Sequence, residues 1–193
     1  MSVMQTLRPL EIAGFFFISF LGSLLHFVFA WSNNWTPLAL FAAVNESVWE
    51  HLKLAFWPGV LWAIIELLAL PKLNLMRLWA IKGLSLLVAP ITIILVFYSY
   101  TQLLGHNLLI LDIGTFFLAI ALGQAAFLWL FKHSRVMSRT LIRAGLACLS
   151  VQVLAYSLLT YYPPNLPLFI DQRNGLRGIL PAEAETNPSV HWN

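Results

Sequence analysis

The sequence predicts an all-α integral membrane protein. The expected form is a five-transmembrane-helix bundle, N-terminus inside and C-terminus outside, with a short interfacial or re-entrant segment before the second span. Three observations carry this. First, 60% of the 193 residues are hydrophobic and only 10% are charged, against roughly 45–50% and about 25% in an average soluble domain. So few charges cannot clothe a soluble globule, and disorder would need the opposite composition. Second, five apolar runs approach the roughly 20 residues that a helix needs to cross a bilayer core of about 30 Å. Third, Lys and Arg are unequally divided between the loops.

The spans are expected at about Ile12–Trp31, Leu54–Leu70, Leu78–Leu104, Leu108–Phe131 and Leu141–Tyr162, so that residues 1–162 form the transmembrane domain. Val28 and Ala30 offer a small-residue pattern like a signal cleavage site. The first apolar run is longer than the 7–15 residues of a signal core, so an uncleaved span is expected. The second span is the shortest and carries Pro58, which predicts an irregular outer end. With the N-terminus in the cytoplasm, Arg8, Lys72, Arg77, Lys82, Lys132, Arg135, Arg139 and Arg143 lie inside, and Lys53, Arg173 and Arg177 outside. The inverse arrangement would violate the positive-inside rule. A bacterial cytoplasmic membrane is the expected location. Trp31, Trp35, Trp49 and Trp57, with Tyr98, Tyr100, Tyr161 and Tyr162, read as interfacial aromatics. Residues 163–193, rich in Pro and Gly, read as an irregular tail on the outer face, with Ala182–Asn193 expected to be disordered.

Function is fainter. The single cysteine, Cys148, permits no intrachain disulfide or cysteine metal cluster. There is no His-Glu-x-x-His, nucleophile elbow, Walker motif or dinucleotide fingerprint. Basic residues do not alternate with aromatics on an exposed stretch, so nucleic acid is not an expected partner. No internal repeat supports an inverted-repeat transporter.

The informative string is Asn45-Glu46-Ser47-Val48-Trp49-Glu50-His51-Leu52-Lys53. Its plain reading is a helix start. Ser47 and Glu50 fit a capping box, and Asn45 is an alternative cap. Its sharper reading is a site. Glu46 and Glu50 are four apart and share a helical face, where two carboxylates repel unless a cation, a proton or a basic partner joins them. His51 flanks them, and His26 lies one turn from the outer end of the first span, where a histidine needs a partner. Glu46, Glu50 and His51 are therefore the candidate catalytic residues, and His26, Glu46, Glu50 and His51 the candidate metal ligands. The donor set suits a divalent metal such as zinc. His106, Asp112 and Asp171 fall on the same outer face.

Elsewhere, Glu66 and Lys82 each lie eight residues from the turn at Asn74 and should form a structural ion pair. Gln124 and Gln152 should bond between helices. Gly14, Gly22, Gly114, Gly123 and Gly145 should permit close helix approach.

The pattern His26-Phe27-x-Phe29-x-Trp31-Ser32, the Asn45–Lys53 string, Phe56-x-Pro58 and the tail Pro167-Leu168-Phe169-Ile170-Asp171 with Gly175 and Gly178 resemble a family of small bacterial multi-pass membrane proteins. That family is known as a domain of unknown function. The resemblance extends to about Leu180. It implies a membrane protein and lends no substrate. It also places Trp31, Asn45, Trp49 and Asp171 in the family pattern beside His26, Glu46, Glu50 and His51.

Three functions stay open at this point. One is a membrane enzyme acting on a lipid-linked or periplasmic-side substrate, small molecule or lipid. Another is a transporter or channel subunit, which with five spans would need a homo-oligomer. The third is a non-catalytic scaffold or assembly partner in the lipid bilayer.

Overall fold

The structure, a computed structural model, describes residues 3–71, 73–134 and 136–179. The stretch expected to be disordered, Ala182–Asn193, lies outside the described residues, as do Lys72 and Arg135. The described chain is helical: α1 (Val3–Trp31), α2 (Val48–Ala69), α3 (Leu75–Ser85), α4 (Val88–Leu104), α5 (Leu109–His133) and α6 (Arg139–Leu158). Among the described residues, with α3 and α4 joined as Leu75–Leu104, five helical units are long and apolar enough to cross a membrane. The protein is an all-helical, multi-pass membrane protein. Large apolar side chains such as Phe16, Phe20, Leu95, Leu118, Trp129 and Val151 are exposed on its sides, as a lipid-facing surface requires.

Two helices begin about two turns or more before hydropathy suggests, for one reason. α1 starts at Val3 rather than Ile12, and α2 at Val48 rather than Leu54. Each added segment carries charges that a hydropathy window rejects, and the acid in each is buried against a lysine inside the bundle. Glu11 meets Lys82, and Glu50 meets Lys53. The third span breaks at Leu86–Leu87 because Pro90 has no N–H for the Leu86 carbonyl four residues before it. α6 ends at Leu158, short of the expected Tyr162. Ser47, Asn74 and Ser138 cap α2, α3 and α6 by accepting from the N–H groups of Glu50, Arg77 and Leu141.

The helices pack as α1 on α2 and α5, α3 on α6, and α4 on α5. Small residues set the tightest crossings. A Cβ on Gly83 would sit 2.0 Å from the Gly145 carbonyl oxygen, and one on Gly145 would sit 2.1 Å from that of Ala80. Gly14 and Gly22 also face crowded neighbours. Gly114, however, has nothing within 4 Å of a built Cβ, so it permits no close approach. Gln124 and Gln152 both bond across helices, to the carbonyls of Glu11 and Gly83.

The segment between α1 and α2 forms a short 3₁₀ helix, Thr36–Leu40. It buries Ala39 and Ala42 against Phe29 and Val44, with Tyr161 and Ile179 packed alongside. After α6 the chain turns through a second 3₁₀ helix, Pro167–Phe169, and an isolated bridge between Ile170 and Arg177. These two connections meet where α1 ends, α2 begins and α6 ends.

Candidate functional site

The site begins with how the α1–α2 loop is held. Asn45 Oδ1 accepts from the Ser47 N–H at 2.9 Å, and its Nδ2 donates to the Gly178 carbonyl at 2.9 Å. The Glu46 N–H donates to Asp171 Oδ2 at 3.2 Å. Asp171 is buried and folds its own loop, accepting from the Arg173 N–H at 2.7 Å on Oδ1. Gly178 adopts φ +69°, a left-handed conformation that L side chains rarely take. The tail thus pins the residues just before the α2 cap. Trp49 extends the contact, its ring 4.7 Å from Phe169 and 4.9 Å from Tyr156.

Within this frame His26, Glu46 and His51 converge. Their facing atoms are 3.1 Å apart (His26 Nε2 to His51 Nε2), 3.5 Å apart (His26 Nε2 to Glu46 Oε2) and 3.6 Å apart (His51 Nε2 to Glu46 Oε2). The three side chains are partly buried, and one ligand atom from each could share a metal ion. His51 Nδ1 lies 2.8 Å from the Ser47 carbonyl. A carbonyl only accepts, so Nδ1 carries the hydrogen, and neutral His51 presents a bare lone pair at Nε2. Arg173 Nη2 donates to the other Glu46 oxygen, Oε1, at 3.2 Å. A hydrogen bond from the His26 ring is the main cause holding the Glu46 carboxyl below the usual range. The charges of His51, His26 and Arg173 act in the same sense, against partial burial.

Glu50, expected among the ligands, is elsewhere. Its carboxylate is 1% exposed and pairs with Lys53 at 2.5 Å. It also accepts from the Val44 N–H at 3.1 Å and the Thr160 hydroxyl at 3.0 Å. Lys53, fully buried, donates in addition to the Ala39 carbonyl at 2.6 Å and to Thr160 at 3.0 Å. Helix α2 turns Glu50 into the bundle once Ser47 caps it. Only half of the expected capping box forms, because the Glu50 carboxylate serves Val44 and Lys53 instead of reaching back to Ser47. Glu50 is thus a structural anchor joining α2 to the preceding loop and to the chain after α6.

The other expected positions divide similarly. Trp31 is exposed and stacks on Phe27 at 5.7 Å. His106 is exposed in the α4–α5 turn, and Asp112, in the first turn of α5, accepts from Tyr100 and, at 3.1 Å, from Asn107. Glu66 and Lys82 do pair, at 2.9 Å, and Glu11 joins them. Sequence reasoning missed Glu11, Thr160 and Arg173 as partners. The i,i+3 spacing of Glu50 and Lys53 was a readable signal. For Arg173, 127 positions after Glu46, no local pattern existed.

Three partly buried donors can do two things. They can share a proton, with His26 Nε2–H placed between the His51 lone pair and Glu46. They can instead coordinate a metal. Ligands at about 2.1 Å in tetrahedral geometry stand about 3.4 Å apart, close to the three separations observed. A metal-bound histidine donates its second ring N–H to an oxygen, as His51 does to Ser47.

Comparison with curated proteins and with solved structures finds no match. The model of a family of unknown function (DUF6512) matches residues 2–179, and the chain belongs to that family.

Proposed function

We propose that this membrane protein binds a divalent transition metal such as zinc through His26, Glu46 and His51, on the extracytoplasmic face of a bacterial cytoplasmic membrane. The observation that carries the reading is the triangle of facing atoms, 3.1, 3.5 and 3.6 Å on its edges, with the His51 tautomer fixed by Ser47. The ligand set is two histidines and one carboxylate, which suits zinc. Three protein ligands leave one position for water or substrate, the arrangement of catalytic rather than closed structural zinc sites. That favours a membrane enzyme acting on a small-molecule or lipid-linked substrate. His26, His51 and Glu46 hold the metal, and Arg173 steadies Glu46.

The face follows from charge. The basic side chains Arg8, Arg77, Lys82, Lys132, Arg139 and Arg143 belong to the opposite side. A C-terminal reporter active only in the cytoplasm should stay silent, and activity would reverse the orientation.

A second reading has its own observation. A spacing of 3.1 Å between two imidazole nitrogens is also a hydrogen bond. On that reading the cluster is a latch within a non-catalytic scaffold. Metal analysis of the protein purified in nanodiscs separates the two. Near-stoichiometric zinc or manganese, lost in His26→Ala and His51→Ala at unchanged folding, supports the metal site. Metal-free protein that takes up neither ion on titration supports the latch.

A further inference from the structure

A second buried cluster lies about 22 Å down α1 from His26, taking 1.5 Å per residue over fifteen residues. Glu11 of α1, Glu66 of α2 and Lys82 of α3 meet there, with exposures of 1%, 0% and 2%. Lys82 Nζ is 3.1 Å from Glu11 Oε1, and 3.1 and 2.9 Å from the two Glu66 oxygens. Apolar side chains enclose the group, including Phe127, whose ring centroid is 3.7 Å from Nζ. Leu7, Leu78, Ile81 and Phe131 pack in one buried cluster with Phe127.

Two carboxylates and one ammonium sum to one negative charge. An uncompensated charge in such a place is costly, and ionisable groups there neutralise by gaining or losing a proton. A second cation is the other remedy. The position between the two carboxylates, however, is held by the Lys82 ammonium, which would repel it. A proton is the ligand that fits.

The contacts also say which acid holds it. Lys82 is within ion-pair distance of both Glu66 oxygens but of only one on Glu11. Glu66 Oε2 makes no aligned hydrogen bond but is still 2.9 Å from Nζ, whereas Glu11 Oε2 is buried with no hydrogen-bond partner. The polar groups nearby are neutral and bond to main chain. Gln124 of α5 donates to the Glu11 carbonyl, and Ser85 donates to that of Lys82.

We propose that the Glu11–Glu66–Lys82 triad is a proton-binding site inside the membrane, with the proton on Glu11 and an ion pair between Glu66 and Lys82. The site is independent of the metal reading at the other end of the bundle.

Infrared spectroscopy of the full chain in nanodiscs at neutral pH tests it. A protonated carboxylic acid gives a carbonyl stretch resolved from the carboxylate bands, and its shift in D₂O reports an exchangeable proton. The band should be present in the wild type, absent in Glu11→Gln and retained in Glu46→Gln. It should also vanish in Glu66→Gln, where Glu11 and Lys82 form a neutral pair, and grow in Lys82→Met, where two acids have no base. If Glu11→Gln does not accumulate, loss of the band in Glu66→Gln carries the test. No band in the wild type, or a band that survives either glutamine variant, overturns the proposal. For placement on Glu11, Glu11→Gln should melt higher than Glu66→Gln, because it mimics the protonated acid and keeps the ion pair. The reverse order overturns that assignment.

Discussion

His51 Nε2 lies 3.1 Å from His26 Nε2, while its other ring nitrogen is 2.8 Å from the Ser47 carbonyl. The second contact gives the first its chemistry. With Nδ1–H committed to Ser47, His51 offers only an electron pair to the site. His51→Ala or His26→Ala should therefore lower zinc affinity by more than the roughly 10–100-fold that losing an outer partner costs. Arg173→Ala removes such a partner, and an exposed one. It should lower affinity by about 10-fold or less. Competition titration with a chromophoric chelator measures both. Equal losses for His51→Ala and Arg173→Ala would contradict the division between ligand and support.

Glu50 and Lys53 should matter to stability rather than to metal. Both are buried and share Thr160, so removing one leaves the other charge without its partner. Lys53→Met should destabilise by about 3–5 kcal/mol. The double variant Lys53→Met, Glu50→Gln should recover part of that loss, since no charge is then left unpaired. Thermal denaturation in detergent gives the comparison. A double variant less stable than Lys53→Met would mean that Glu50 does not depend on Lys53. Zinc bound by the wild type should persist in the double variant.

These two clusters show how much the sequence made legible. The five spans follow from hydropathy alone, because lipid imposes length and apolarity on each span. His26, Glu46 and His51 were identifiable because acids and histidines are scarce in such a chain and gathered near one face. The destination of each acid was not. Glu46 and Glu50 share a helical face only if both are helical, but Glu46 lies before the Ser47 cap. Its carboxylate reaches the two histidines, whereas that of Glu50 enters the core. The start of α1 was hidden by Glu11, whose partner Lys82 stands 71 positions away. Asp171 was flagged by side and family pattern, yet its task of holding the Glu46 N–H depends on a contact 125 residues long in sequence.

Helix packing gives a sharp contrast between two glycines. Gly83 faces the Gly145 carbonyl, 2.0 Å from where a Cβ would be, and that atom is backbone. Gly83→Val should force α3 and α6 apart and sharply reduce folded protein in the membrane. Gly114→Ala meets nothing within 4 Å. It should leave melting unchanged or slightly raised, since alanine favours helix by roughly 0.5–1 kcal/mol. Size-exclusion profiles and melting curves of the two variants test this. A well-folded Gly83→Val would argue against the close α3–α6 crossing.

The Glu46 carboxyl supplies the pH dependence. The His26 hydrogen bond holds it below its ordinary value of 4.5, with help from the charges of His51, His26 and Arg173. A carboxyl depressed in the folded state binds its proton less readily than in the unfolded chain. Its stabilising contribution is therefore fully present above the unfolded value and is lost as pH falls through the lower folded value. The stability difference between wild type and Glu46→Gln should thus shrink as pH falls below about 4.5. Melting in detergent across that range, with metal removed by chelator, isolates the effect from coordination. A difference that grew below about 4.5 would give the shift the opposite sign and overturn the electrostatic account of how Glu46 is held.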